Sequence, residues 1–193
     1  MSAWCWVRYP EVFQTYFPQM HTYYWHSMEA LHCEKKQLAF PFTNSLPLAS
    51  FNLGPRTVCT PHRDAKKLLF GICCIMALGS FDPATGGHLV VEELQLVIEF
   101  PTGMTALIPS AVVMHSNTDI QEGERWYSFT QYASGSLLAY INNRMRTTKD
   151  VMLTLPTDAK GEWRCEGHEQ WSLQGVGNVS LLHELQVFSI AVG

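Results

Sequence analysis

Apolar positions in the first 36 residues fall at helical spacing. Phe13, Tyr16, Phe17 and Met20 recur at intervals of three or four, with Pro18 breaking the stripe or opening a turn. A second helix is predicted from about His21 to Lys36, its aromatic residues packing as core. From residue 46 the pattern shortens. Leu48–Leu53, Thr57–Thr60, Phe70–Leu78, His88–Glu92, Leu94–Phe100, Met104–Ile108, Ala111–His115 and Trp126–Tyr132 are short runs rich in β-formers. Pro, Gly and Asp punctuate them, most plainly in Phe81-Asp82-Pro83-Ala84-Thr85-Gly86-Gly87. A helix is predicted over Ser136–Met145. Beyond residue 147 the pattern fades into the polar stretch Lys149–Gly175, and Leu181–Val192 reads as a closing helix or strand.

Helices followed by many short strands predict a mainly β fold with flanking helices, a sandwich or barrel. The 193 residues fit a single domain: 1–45 as helical support, 46–146 as the β core, and 147–193 as a C-terminal tail. A hydrophobic fraction of 47% and a charged fraction of 16% describe a packed chain rather than a disordered one. The net charge of −4 gives no global attraction for nucleic acid or anionic membrane, so such a contact needs a local patch. No apolar run approaches the roughly 18 residues of a membrane span. The first residues lack the pattern of a signal peptide, and an intracellular monomer, nuclear or cytoplasmic, is expected. Cys5, Cys33, Cys59, Cys73, Cys74 and Cys165 form no C-x-x-C pair, which argues for reduced thiols over a zinc or disulfide framework.

The candidate chemistry lies in Thr60-Pro61-His62-Arg63-Asp64. On extended backbone His62 and Asp64 project to one side, because side chains alternate. Joined by a second imidazole they make a two-His, one-carboxylate set that holds Fe(II) and leaves coordination positions open. In a chain with eight His an H-x-D triplet alone says little. The company it keeps says more. His115 follows Asp64 by 51 positions (115 − 64) at the end of Ala111–His115, and Gly86-Gly87-His88-Leu89 and Pro101-Thr102-Gly103 lie between them. Gly123-Glu124-Arg125 brings an arginine ten positions after His115 (125 − 115).

In this order the five elements resemble the Fe(II)/2-oxoglutarate dioxygenases. The phrases Phe51-Asn52-Leu53-Gly54-Pro55, His115-Ser116-Asn117 and Ser128-Phe129-Thr130-Gln131-Tyr132 look like the fungal TET/JBP-like branch, which oxidises methyl groups on DNA bases. The resemblance spans roughly residues 50–140. It implies a double-stranded β-helix (a jelly-roll, cupin-like core) with His62, Asp64 and His115 as the iron ligands and catalytic centre. It also implies Fe(II) and 2-oxoglutarate with O2, and ascorbate as reductant. Arg125, Asn52 and Ser128 become the candidates for binding 2-oxoglutarate. The pattern departs at one place: the arginine of R-x-S would stand two before Ser128, where the chain has Trp126. Arg125 reaches the site only if a bulge restores its direction, and Arg56 and Lys67 are the other cations available.

For methylated DNA the candidate contacts are Arg63, Lys66 and Lys67, beside the metal ligands, with Lys35, Lys36, Arg144 and Arg146 further off. Paired lysines are also ordinary solvated surface, and His88 reads as a satisfied structural histidine. Three functions stay open. One is oxidation of 5-methylcytosine or N6-methyladenine; another is the same chemistry on a protein side chain or small molecule. The last is a non-catalytic binding module that has lost its co-substrate site.

Overall fold

The computed structural model describes residues 11–38 and 45–163. The closing element read at Leu181–Val192 lies outside the described residues, as do Cys5 and Cys165. The chain divides into two compact units, one spanning Leu46–Ala139 and the other drawn from the segments on either side.

The flanking unit is helical. Residues 11–16 form α1 and Pro18–Glu34 form α2. Pro18 opens α2 rather than breaking it, since the first turn of a helix has no partner for the N–H that proline lacks. Met20, Tyr24, Met28 and Leu31 give α2 its buried stripe, whereas Tyr16 is exposed. Helix α3, Gly135–Asn142, is shorter than the predicted Ser136–Met145, because Arg144 and Met145 take positive φ values of 54° and 59°. After it comes α4, Thr148–Thr154, in the stretch where the sequence pattern was weak. A capping box begins it: Asp150 N donates to Thr147 Oγ1 (3.1 Å) and Thr147 N to Asp150 Oδ2 (3.3 Å). No described helix is long and apolar enough to cross a membrane.

The unit Leu46–Ala139 carries the strands β1 Leu48–Asn52, β2 Cys73–Ser80, β3 Leu89–Val91, β4 Leu96–Ile98, β5 Thr105–Ile108, β6 His115–Asn117 and β7 Arg125–Tyr132. They make two antiparallel sheets, ordered β1-β7-β2-β5 and β4-β3-β6. The expectation of a mainly β chain with flanking helices holds for the described residues. Cys73, Ile75 and Ala77 from the first sheet meet Leu89 and Val91 from the second in one core, closed by Phe100, Ile108, Ile120 and Trp126. Burial of these faces supplies the main stabilisation, at about 25 cal/mol per Å² of apolar surface.

Three predicted strands changed. Thr57–Thr60 is not a strand, although Arg56 and His62 each make an isolated bridge, to Trp126 and His115. Leu94–Phe100 shrinks to β4, because a 3-10 turn over Glu92–Leu94 ends with Gln95 at φ 52°. Ala111–His115 is mostly turn: Val112 N and Val113 N both return to Pro109 O, and His115 begins β6 instead of ending a strand.

Gly79 is needed where β2 crosses β7. Its φ is +123°, and a Cβ there would stand 2.1 Å from the Arg125 carbonyl oxygen. Gly79→Ala is therefore expected to destabilise the chain by about 3 kcal/mol or more. A urea midpoint equal to that of the wild type would contradict this close approach.

Candidate metal centre and its pocket

His62 and His115 are brought together by backbone pairing. His62 N donates to His115 O (3.1 Å) and His115 N to His62 O (3.0 Å), which leaves the ring centroids 4.4 Å apart. Asp64 is set by its own N–H, which donates to Ser110 O at 2.9 Å. The turn after Pro109 thus presents the carbonyl that fixes the carboxylate, and this explains why Val112 and Val113 are not in a strand despite their β-propensity. One donor atom from each of His62, Asp64 and His115 lies within 4.8 Å of the other two.

The imidazoles are oriented by carbonyls behind them. His62 Nδ1 is 2.8 Å from Thr60 O and His115 Nδ1 is 3.1 Å from Val113 O. A carbonyl can only accept, so each Nδ1 carries the proton and each Nε2 presents its lone pair. The two Nε2 atoms face Asp64, at 3.9 Å for His62 and 3.7 Å for His115. Burial lowers the pKa of His115 below its ordinary value, which keeps the ring neutral at neutral pH. For Asp64, burial pushes the pKa upward, but the hydrogen bond and charge of Lys67, with help from Ser110 and His115, outweigh it and hold the carboxyl below the usual range. Two imidazoles oriented from behind with their Nε2 atoms toward an ionised carboxylate are a donor set that suits divalent iron, so the residues fit the metal.

The triad opens into a cavity of about 280 Å³ between the two sheets. Alternation along β7 turns Trp126, Ser128, Thr130 and Tyr132 into it, and Asn52 on β1 faces Ser128 in the register. Asn52 Nδ2 donates to Ser128 Oγ at 2.7 Å, so two of the predicted co-substrate residues meet in the cavity wall.

Arg125 does not join them. It is exposed on the opposite face of β7 and is paired with Ser80 with no bulge to turn it inward. Strand parity places Trp126 in the wall instead, 4% exposed. Arg56 is also spent elsewhere, on Asp119 Oδ2 (2.6 Å) and Ile120 O (2.9 Å). The cation lining the cavity is Lys67, one of the two alternatives. Its ammonium lies 2.7 Å from Asp64 Oδ2, 3.1 Å from Cys73 Sγ and 4.5 Å from the Tyr132 ring centroid. Burial alone would depress its pKa; Cys73 and Asp64 reverse that and hold Lys67 above the usual lysine value. The Cys73 thiol is itself pushed up by burial. For 2-oxoglutarate the fit is therefore incomplete. Among the described residues the one lysine lining the cavity sits beside the triad, and no arginine lines it.

Two of the predicted DNA contacts beside the triad, Arg63 and Lys67, are engaged by neighbouring groups. Arg63 donates through Nε to Val112 O (2.7 Å) and forms an ion pair with Glu93, and Lys67 is turned into the cavity. Arg63 and Lys66 are both exposed, Arg63 with its guanidinium paired to Glu93. Lys35, Lys36, Arg144 and Arg146 belong to the other unit, where Arg146 is bonded to Asp150 O and Thr154 Oγ1. His88 donates its backbone N–H to Thr118 Oγ1 (2.9 Å) and has Nδ1 3.0 Å from the same atom, a structural histidine. Cys59, Asn117 and Tyr132 also line the cavity; Asn117 and Tyr132 stand in the sequence phrases behind the resemblance, but none of the three was named as a site residue. The parity of Ser128 would have located Tyr132; nothing local marked Cys59.

No protein-family model matches the chain, and no curated protein does. Among solved structures it is similar to NgTET1 in complex with 5mC DNA, with a TM-score of 0.43 and 16% identity over 65% of this chain and 52% of that one. It spans about half the length of NgTET1. It is also similar to the viral collagen prolyl hydroxylase vCPH from Paramecium Bursaria Chlorella virus-1, in its 2OG complex, with a TM-score of 0.33 and 12% identity over 55% of this chain and 72% of that one.

Proposed function

We propose that this chain is a non-haem Fe(II) oxygenase on a double-stranded β-helix, that it activates O2 with a 2-oxo acid, and that it hydroxylates methyl groups on DNA bases. The observation that carries the iron reading is the pair of imidazoles whose Nδ1 atoms are engaged by Thr60 O and Val113 O, leaving both Nε2 atoms turned toward the Asp64 carboxylate on one side of a cavity. Three protein ligands would leave three positions of an octahedral ion open, enough for a chelating 2-oxo acid and O2.

When bound, Fe(II) with a 2-oxo acid supplies the oxidant that removes a hydrogen atom from an inert C–H bond. The acid loses CO2 and gains one oxygen atom as a shortened carboxylate; the other atom of O2 enters the substrate as a hydroxyl. His62, Asp64 and His115 hold the ion, and Lys67 balances the charge of the carboxylate beside it. Ile75, Leu89 and Phe100 keep water from the cavity wall. On 5-methylcytosine the product is the hydroxymethyl base; on N6-methyladenine the hydroxylated methyl leaves as formaldehyde.

The base reading rests on the sequence phrases around residues 51–55 and 115–132. A second reading, the same reaction on a protein side chain or small molecule, is favoured by the Arg63–Glu93 pair, which offsets one surface cation, and by Lys67, which is turned inward. The test is the full chain with Fe(II), ascorbate and either 2-oxoglutarate or a neutral-tailed 2-oxo acid, given methylated and unmethylated oligonucleotides. Mass spectrometry of the digested DNA should find oxidised or demethylated bases. Unchanged methylated bases, while the acid is consumed with another substrate, would leave the iron chemistry and reject the nucleobase. A chain that binds iron and turns over no acid is the binding module.

A further inference from the structure

The cavity has a charged end and a neutral end. At the charged end Lys67 Nζ sits 2.7 Å from Asp64 Oδ2 and 4.5 Å from the centre of the Tyr132 ring. Trp126 stands on the same face of β7, toward its other end, and lines the same cavity as the triad. Trp126 is held firmly. A Cβ at Gly87, which has a φ of +69°, would come within 2.9 Å of its Cδ1 and 2.7 Å of Phe81 Cε2, so the indole edge occupies the space a glycine leaves. Asn52 and Ser128 beside it are neutral and bonded to each other. Trp126 Nε1 is buried and has no acceptor among the described residues.

A 2-oxo acid would grip the metal through its carboxylate and keto oxygens, and the Lys67 ammonium beside the triad would attract its first carboxylate to that end. Its tail then runs down the cavity, away from Asp64. A second carboxylate on that tail would lose its water and meet an indole, an amide, a hydroxyl and the apolar Ile75, Leu89 and Phe100. Burying an ionised carboxylate without a partner is strongly unfavourable. A neutral tail meets no such cost.

Resting on the iron and 2-oxo-acid reading above, we propose that the pocket is built for a 2-oxo monocarboxylic acid with an uncharged tail, and that Trp126 is the residue that excludes a dicarboxylic acid such as 2-oxoglutarate. Lys67 recognises the carboxylate common to both acids, and Trp126 tells their tails apart.

The test uses the full chain loaded anaerobically with Fe(II), metal content being measured separately. The visible charge-transfer band of an Fe(II)–2-oxo acid chelate is titrated with 4-methyl-2-oxopentanoate and with 2-oxoglutarate. The neutral-tailed acid should bind roughly tenfold tighter or more. Trp126→Arg should reverse that order, and Trp126→Phe should keep it. Equal or tighter binding of 2-oxoglutarate by the wild type overturns the proposal, whether or not the arginine variant folds. Fe(II) bound with no band from either acid overturns it together with the 2-oxo-acid chemistry. A chain that takes up no Fe(II) overturns the metal reading beneath both.

Discussion

Asp64→Ala, His62→Ala and His115→Ala are each expected to lower Fe(II) affinity by more than about a hundredfold, since loss of even an outer hydrogen-bond partner costs a metal site tenfold to a hundredfold. Asp64 should be the most severe. It supplies the only carboxylate in the triad, and without it Lys67 leaves an uncompensated ammonium beside the ion. Folding should survive at His62, which is partly exposed, and suffer more at His115, 5% exposed in the core wall. Anaerobic titration with circular dichroism on the same samples separates the two effects. Wild-type affinity in any one variant would remove that residue from the centre.

Lys67→Met is expected to weaken binding of any 2-oxo acid by about tenfold to a hundredfold, the worth of a charge-assisted hydrogen bond. Arg125→Ala should change it by less than about twofold, as for other exposed positions away from the site. The chelate band reports both. The metal-free Lys67 variant also loses the partner that holds the Asp64 pKa down. A group with a depressed folded pKa adds stability above its unfolded value and loses it as pH falls through the folded one. The wild type should therefore hold a stability advantage at neutral pH that shrinks on acidification, while Lys67→Met should show less of that dependence. An Arg125→Ala defect as large as that of Lys67→Met would contradict the inward–outward alternation of β7.

The grouping of His62 with Asp64 was legible because its signal is local. Two residues apart on extended chain is a geometric statement, and His62 and Asp64 obey it. Arg125 was misplaced because spacing from His115 was weighed above strand parity. Ser128 faces the cavity, so parity already sent Trp126 inward and Arg125 outward. The Ala111–His115 strand failed for a different reason. Its β-branched residues give way to a turn whose carbonyls at Ser110 and Val112 are committed to Asp64 and Arg63, a tertiary demand absent from any local window. Lys67 was visible only as one cation among several. Its inward turn depends on Asp64, Cys73 and Tyr132, which converge only when the sheet forms.

The central claim is that His62, Asp64 and His115 hold one metal ion at the mouth of a cavity closed by Trp126. Anomalous diffraction from crystals grown anaerobically with Fe(II) tests it most directly. The account predicts one peak about 2.1 Å from both Nε2 atoms and from an Asp64 carboxylate oxygen, ordinary first-row metal distances. It also predicts that the Lys67 ammonium stays beside the ion without ligating it. A peak held by other residues, or a saturated crystal with no peak between these three, would contradict it.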